Sequence, residues 1–344
     1  LPQMLRELPS VMVQETSPGQ GSPFIRGFTG YNNLLLLDGI RINNSTFRAG
    51  PNQYWATIDP LSIGRIEVLR GPASTMWGSD AVGGTVQVFS RSPDRYVRDG
   101  VAYGGMLFGR YATAEDSPAV RGEVQVGLTR ADGLRTGVLI GGSARAFGDI
   151  EGGADTGVQP NTSHDETGFD VKLEHWLSND TKLVFLHQQY RQNDVPRTHS
   201  TIFGESFRGT AVGTDLQRDL DQTRRLTYVQ LHRTNLDGAV QAMRFSLSWQ
   251  SQVELQDRIR GNGQQTFDNF EVGTIGAFAQ FDSDTDFGFL TYGVDYYRDN
   301  VRSWRRRTGT PNAADPIQGQ VGNDANYDLL GVFVQNVVAL GEDV

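Results

Sequence analysis

Residues 239–256 carry the strictest pattern in the chain. Met243, Phe245, Leu247, Trp249, Val253 and Leu255 fall on one parity, and Arg244, Ser246, Ser248, Gln250, Gln252, Glu254 and Gln256 on the other. Side chains of a strand point alternately to its two faces, so this stretch predicts one long strand with an apolar face and a purely polar face. Soluble strands ordinarily end after about five or six residues. A strand this long, with faces this distinct, fits the wall of a membrane β-barrel, where lipid-facing and lumen-facing positions alternate.

Including this one, ten strands are expected, near residues 100–110, 121–130, 134–147, 167–177, 181–191, 224–234, 239–256, 269–282, 287–301 and 327–340. Residues 131–133, 178–180, 235–238 and 283–286 make tight polar turns. The intervening connections are longer, and those at 148–166, 192–223 and 302–326 are much longer. Short turns at one end and long loops at the other are the asymmetry of an outer-membrane barrel. They also set a polarity, in which the first strand runs outward and the tenth returns to a turn at residues 340–344. A soluble β-sandwich is the alternative; its strands also alternate, but its connections are seldom sorted so consistently by parity.

Composition bounds the remaining classes. No run of about eighteen apolar residues occurs, which excludes a helical span but not a barrel, whose strands hide from a hydropathy scan. The absence of Cys removes disulfide, thiolate and zinc-thiolate chemistry together. A formal charge of -9 argues against a nucleic-acid partner. With 18 Phe, 11 Tyr and 5 Trp the chain is too aromatic to be disordered. Residues 1–8 do not read as a positively charged, apolar leader; a signal removed ahead of them is expected, so this does not assign the chain to the cytoplasm.

Residues 1–95 follow a different pattern from residues 96–344, and the two are expected to form separate domains. Leu1, Met4, Leu5 and Leu8 suggest a short helix ended by Pro9. Short strands are expected at residues 11–13, 24–26, 34–37, 65–69 and 85–89, separated by turns at 17–19, 38–39 and 70–72. Leu34, Leu35, Leu36 and Leu37 do not alternate and predict a strand buried on both sides.

Four segments in this order carry a family resemblance: Pro23-Phe24-Ile25-Arg26-Gly27-Phe28, Leu35-Leu36-Leu37-Asp38-Gly39-Ile40-Arg41, Ile63-Gly64-Arg65-Ile66-Glu67-Val68-Leu69-Arg70-Gly71-Pro72, and Trp77-Gly78-Ser79-Asp80-Ala81-Val82-Gly83-Gly84-Thr85-Val86-Gln87-Val88. Together they resemble the plug domain of TonB-dependent outer-membrane receptors and transporters. The resemblance implies a mixed α+β plug domain followed by an antiparallel transmembrane β-barrel of about 22 strands, of which about ten are present. A ten-stranded barrel is too narrow for a plug of about 90 residues, because diameter grows with strand number, so the strand count implies a partial barrel. Also implied are a location in the bacterial outer membrane, ligand capture at the extracellular face, and energy from the TonB-ExbB-ExbD complex. That complex grips a TonB box, expected ahead of Leu1 together with a first plug strand.

The resemblance also suggests roles for individual residues. Gly27, Gly39, Gly71, Gly83 and Gly84 are expected to serve backbone geometry. Arg26, Arg41, Arg65, Glu67 and Arg70 form a charged set, of which Arg26, Arg65, Glu67 and Arg70 are candidate contacts with the barrel wall; solvated charge is the alternative. Plug apices and long loops form the ligand basin in this family, so Tyr31, Asn32, Asn33, Phe47, Arg48, Tyr54 and Trp55 are candidate ligand contacts, suited to a planar or catecholate-like molecule. Packing of Trp55 against the barrel wall is the alternative. Arg302, Trp304, Arg305, Arg306 and Arg307 lie in an expected outer loop and suit an anionic ligand, with lipopolysaccharide phosphate an equally simple target. No resident metal is expected; His164 and His199, in expected outer loops, are candidates for haem iron. His175, His187 and His232 fall in strands, where lumen-facing hydrogen bonding is expected.

No catalytic constellation is present: there is no Cys nucleophile, no His-Glu-x-x-His and no Gly-x-Ser-x-Gly, and residues 282–286 lack the Gly and terminal Glu of an EF-hand. The resemblance therefore implies a receptor rather than an enzyme, without a resident cofactor, for TonB-dependent uptake of a ferric siderophore or haem. Two alternatives stand beside it: a non-transporting surface receptor for a host or extracellular protein, and uptake of cobalamin or another non-iron substrate. The implied partners are the TonB-ExbB-ExbD complex, outer-membrane lipid and lipopolysaccharide, and an extracellular chelate.

Overall fold

Alternation of the kind seen at residues 239–256 fixes which face of each strand is polar, and the computed structural model shows what each face meets. It describes residues 1–15, 19–51, 53–94, 96–97, 99–153, 156–206, 209, 211–308, 316 and 318–338. The N-terminal unit contains β1 (Val11–Gln14), β2 (Ser22–Ile25), β3 (Asn33–Leu37), β4 (Ile40–Arg41), β5 (Ile63–Arg70), α1 (Ser74–Trp77) and β6 (Gly84–Ser90). The long strands follow: β7 (Gly100–Ala112), β8 (Ser117–Thr129) and β9 (Arg135–Phe147). After the two-residue strands β10 (Glu151–Gly152) and β11 (Gly157–Val158) come β12 (His164–Ser178), β13 (Thr181–Pro196), β14 (Gln217–Arg233), β15 (Ala242–Ile259), β16 (Gln265–Thr285), β17 (Gly288–Thr308) and β18 (Ala325–Val337).

All ten expected long strands are present, and they form one antiparallel sheet in chain order from β7 to β18, without β10 and β11. Among the described residues β7 and β18 each pair on one side only, so the sheet is open at both edges. Its connections at 148–163, 197–216 and 309–324 are long and lie at one end. Two others at that end, 113–116 and 260–264, are tight, which departs from the expected sorting. The reason is strand length: β15 runs to Ile259 and β16 starts at Gln265, so residues expected in a loop continue the ladder. The expected turn at residues 340–344 lies outside the described residues, as do residues 17 and 18.

The two faces of this sheet are inverted relative to a soluble protein. On β15 the polar Ser246, Ser248, Gln250, Gln252 and Glu254 are buried, while Phe245, Leu247 and Trp249 are exposed. Leu107 and Leu330 on other strands are 81% and 71% exposed. Apolar side chains gain by leaving water, so a sheet that turns them outward along several strands presents the surface of a lipid-facing barrel wall. The buried polar face is covered by the N-terminal unit.

That unit is organised around a four-stranded sheet of order β4-β3-β6-β5, in which β3 and β6 run parallel. The leucine run is buried on both sides, as its lack of alternation predicts. Leu35 and Leu37 join one apolar cluster, and Leu34 and Leu36 a second one with Ala73 and Ala81. Residues 38–39 turn the chain from β3 into β4 with φ of +50° at Asp38 and +82° at Gly39, the two left-handed positions a tight hairpin requires. Gly83 has a different reason to be Gly, because a Cβ there lies 2.4 Å from Asn33 Oδ1 and 2.9 Å from the Ile25 carbonyl oxygen. The expected N-terminal helix is a 3-10 turn at Pro2–Leu5.

Candidate functional site

The face between the two sheets holds most of the buried polar chemistry. Asp38 sits at its centre. It accepts from Ser90 N at 3.0 Å, from Ser90 Oγ at 2.6 Å and from Tyr228 Oη on β14 at 2.8 Å, while its carbonyl accepts from Gln230 Nε2 at 2.9 Å. Lys172 Nζ on β12 donates to Ser90 Oγ at 2.9 Å and lies 3.9 Å from the Asp38 carboxylate. Thus one carboxylate of the N-terminal unit is held by two separate wall strands.

Further contacts continue along the wall. Ser143 Oγ donates to Asp59 Oδ2 at 2.5 Å, Arg224 Nε to the Thr57 carbonyl at 2.9 Å, and Gln188 Nε2 to Ser62 Oγ at 2.8 Å. Asn44 Nδ2 reaches Gln252 Oε1 at 2.9 Å, Ser45 N reaches Asp299 Oδ2 at 2.7 Å, and Gln53 Nε2 donates to Glu254 Oε2. Not all of the interface is polar: Phe47, Tyr54, Leu226, Phe270 and Val272 belong to one buried apolar cluster that joins both sheets. The Arg41 side chain turns into its own unit, donating to Asp80 Oδ2 at 2.5 Å and to the Ser79 carbonyl at 3.0 Å.

The structure redistributes the candidate ligand residues. Phe47, Tyr54 and Trp55, expected in an open connection, are buried, and Trp55 is 0% exposed. A 3-10 turn at Tyr54–Thr57 places Tyr54 and Trp55 inward, with Tyr54 4.9 Å from the Phe47 ring and edge-on to Phe270 of β16 at 6.1 Å. For Trp55 the packing alternative holds. Burial also pushes the Tyr54 hydroxyl well above its ordinary pKa. Asn33 is a buried framework residue whose Nδ2 donates to the carbonyls of Phe28 at 2.6 Å and Pro23 at 3.2 Å. Tyr31 and Arg48 are exposed and Asn32 is half-buried.

The basic run is corrected in a similar way. Arg302, Trp304, Arg305, Arg306 and Arg307 lie in β17 rather than in a loop, because the ladder with β16 continues to Thr308. Alternation splits them. Arg302, Trp304 and Arg306 are exposed on the outward face, whereas Arg305 and Arg307 share the inner parity with buried Val301 and Ser303. Arg305 pairs with Asp268 on β16.

His164 also leaves its expected loop to begin β12, where it stacks on Phe147 at 4.4 Å and lies 3.4 Å from Glu166 Oε1. His199 is exposed in the 3-10 turn Thr198–Ser200. Both line a cavity of about 820 Å³ with Arg145, Phe147 and Glu166. Among the described residues, no group of three or more His, Asp or Glu is placed to hold a metal ion. His232 has the inner parity of β14, but His175 and His187 face outward, bonded to Thr136 at 2.8 Å and Thr227 at 2.9 Å.

The charged set Arg26, Arg65, Glu67 and Arg70 lies on exposed surface of the N-terminal unit. Arg65 Nε pairs with Glu67 Oε1 at 2.9 Å and its guanidinium covers the Phe89 ring at 3.9 Å. Arg70 donates to the Pro9 carbonyl at 2.9 Å, and Arg26 lies over Gly71.

Sequence reasoning missed a set of arginines at the long-loop end of the inner face. Arg197 follows β13, and its N–H donates to the Arg218 carbonyl at 2.8 Å. Arg218 pairs in register with Arg258 on β15. Burial and the nearby Arg48 charge lower the pKa of Arg197. Only cross-strand register brings these residues together, and no spacing along the chain signals it.

Residues 1–85 match the family model described as TonB-dependent receptor plug domain. The chain is 32% identical over 105 residues to the vitamin B12 transporter BtuB of Photobacterium profundum, covering 30% of this chain and 17% of that protein. It is 29% identical over 225 residues to the iron-regulated outer membrane virulence protein of Vibrio cholerae, covering 62% of this chain and 32% of that one. Among solved structures it resembles the copper transporter OprC with a TM-score of 0.75 at 17% identity, over 97% of this chain and 50% of OprC. The chain thus spans less than a third of the length of these two curated relatives, and the structural likeness bears on fold alone.

Proposed function

From the premise that this chain belongs to the TonB-dependent receptor family, we propose that it forms the plug and part of the wall of an outer-membrane receptor that imports a metal complex. The observation that carries this reading is the seating of the N-terminal unit on the polar inner face of a lipid-facing sheet, through Asp38, Lys172 and Tyr228. Many contacts across this interface are hydrogen bonds, so a pull on the plug exchanges them for bonds to water. Transport then involves no covalent chemistry: ligand binds at the long-loop end, and energy delivered by TonB-ExbB-ExbD rearranges the plug.

The substrate is not confined to a ferric siderophore or haem. The first curated relatives carry the name of a vitamin B12 transporter, and another carries a name for iron regulation. We therefore place cobalamin or another non-iron complex ahead of iron chelates as a class. A division at residues 95 and 96, a barrel of about 22 strands, and wall contacts for Arg65, Glu67 and Arg70 are parts of the same proposal.

The test is ligand binding by cells expressing the full-length protein, with labelled cyanocobalamin, a ferric catecholate and haem measured side by side. The reading expects saturable binding of one of these at the cell surface. Saturable binding of a host protein with none of the three would favour the non-transporting receptor.

A further inference from the structure

The connection from β6 to β7 does not hang free of the wall. Its described residues lie along the inner face at the short-turn end, where three wall strands hold them. Arg91 Nε donates to Glu123 Oε2 on β8 at 2.8 Å, and that carboxylate is buried. Asp94 N donates to Gln125 Oε1 at 3.0 Å, and Gln125 Nε2 donates in turn to Glu123 Oε1 at 2.9 Å. Tyr96 meets Trp176 of β12 edge-on at 5.8 Å. The Arg135 guanidinium of β9 lies over both rings, 5.6 Å from Tyr96 and 4.6 Å from Trp176.

The wall is shaped to receive this segment. A Cβ on Gly137 of β9 would run into the Tyr96 hydroxyl and lie 2.8 Å from Pro93 Cγ. Gly137 is ordinary strand, paired with Gly127 and Glu174, so its backbone conformation does not call for glycine. Glycine inside a strand weakens it and marks the close approach of another group; here that group is the connection, seated in the recess that the missing side chain leaves. A connection between two units is ordinarily mobile, and a slack one would join plug to wall equally well. This one is fixed by an ion pair, a hydrogen bond, a ring pair under a guanidinium, and a recess cut for it.

We propose that Arg91, Asp94 and Tyr96 are positioning residues of a clamp, which fixes the C-terminal end of the plug to the wall and retains the plug while it is pulled. The contacts lie on β8, β9 and β12, so a plug leaving as one body must break all of them. Movement confined to residues ahead of β6 breaks none. The clamp deepens the uptake reading and rests on it for the load, although the seat itself exists without TonB.

The experiment makes two measurements on the full-length receptor. The first is amide hydrogen exchange in detergent, which reports local opening. Tyr96→Ala, which removes the ring, and Gly137→Ala, which fills its recess, should each speed exchange at Asp94 about tenfold or more. Exchange in β3 and β6 should stay within about threefold of wild type. Tyr96→Phe keeps the ring and should match wild type at Asp94. The second measurement is vancomycin entry into cells supplied with cyanocobalamin, a ferric catecholate and haem, with and without TonB. A wide barrel that loses its plug leaves an aqueous channel. Wild type should exclude vancomycin in both strains, and the two Ala variants should lose exclusion only where TonB is present. Should one Ala variant fail to reach the membrane, the other carries the test by the opposite change. Entry in both strains would place these residues in resting docking and overturn the clamp. Unchanged exchange at Asp94, or exclusion in both strains despite faster exchange, would overturn it as well. TonB-independent accumulation by wild type would sink the uptake reading, and the exchange result would still decide the seat.

Discussion

Gly141→Ala tests how the wall is built. On the inner face of β8, Arg121 reaches across β9 to Asp170 on β12, and Gly141 is the position it crosses. Its guanidinium donates to Asp170 at 2.8 and 3.0 Å and to Glu123 at 2.9 and 3.3 Å. A Cβ on Gly141 would lie 2.1 Å from Arg121 Nη2 and 2.6 Å from Cζ, where ordinary contact begins at 3.4 Å. The guanidinium must therefore move by more than an ångström, and Nη2 serves both carboxylates. Losing its two charge-assisted bonds, at about 1.5–3 kcal/mol each, gives a destabilisation of about 3–5 kcal/mol, the range measured for broken buried ion pairs. The assay is urea unfolding of the full-length protein in detergent, as a double-mutant cycle with Arg121→Ala. With the arginine cut back, the added methyl has room, so Gly141→Ala should then cost less than about 1 kcal/mol. Equal costs in both backgrounds would refute the crossing.

Three further outcomes follow from the same geometry. Asp38→Ala removes the carboxylate that Ser90 and Tyr228 bind and leaves Lys172 without its nearest plug charge; amide hydrogen exchange in β3 and β6 should rise, with a loss of about 3–5 kcal/mol in plug docking. Trp55→Ala empties a fully buried position and should cost about 3–5 kcal/mol in urea unfolding, whereas a ligand contact at Trp55 would change affinity and leave stability intact. Tyr96 is edge-on to Trp176 at 5.8 Å, and its hydroxyl is buried without a partner. Tyr96→Phe should therefore alter stability by less than about 1 kcal/mol at neutral pH. Burial pushes the Tyr96 hydroxyl up to about 12. Folding then favours its neutral form, so that contribution is intact below pH 10 and is lost as pH rises toward 12. Wild type should fall in stability across that window more than Tyr96→Phe does; parallel curves would contradict the assignment.

Alternation made the wall legible, because a period of two is written along each strand and needs no distant partner to be read. The non-alternating leucines marked β3 as a doubly covered strand for the same reason. What failed depends on contacts between segments. Arg302 to Arg307 read as a loop because polar residues past the apolar belt resemble a turn, while the ladder with β16 carries them on as strand. Phe47, Tyr54 and Trp55 read as open because their connection is rich in Gly, Pro and Asn, yet a 3-10 turn folds Tyr54 and Trp55 under and Phe47 packs against the Tyr54 ring. The Arg197, Arg218 and Arg258 row is invisible along the chain, since its members are set beside one another only by register.

The proposed uptake requires that the plug docked on this wall be moved by energy from the inner membrane. Its most direct measurement is the time course of uptake of the tightest-binding ligand of the panel by cells expressing the full-length receptor, with and without TonB. Equal surface binding is expected in both strains, with accumulation only where TonB is present. Equal accumulation in both would contradict it.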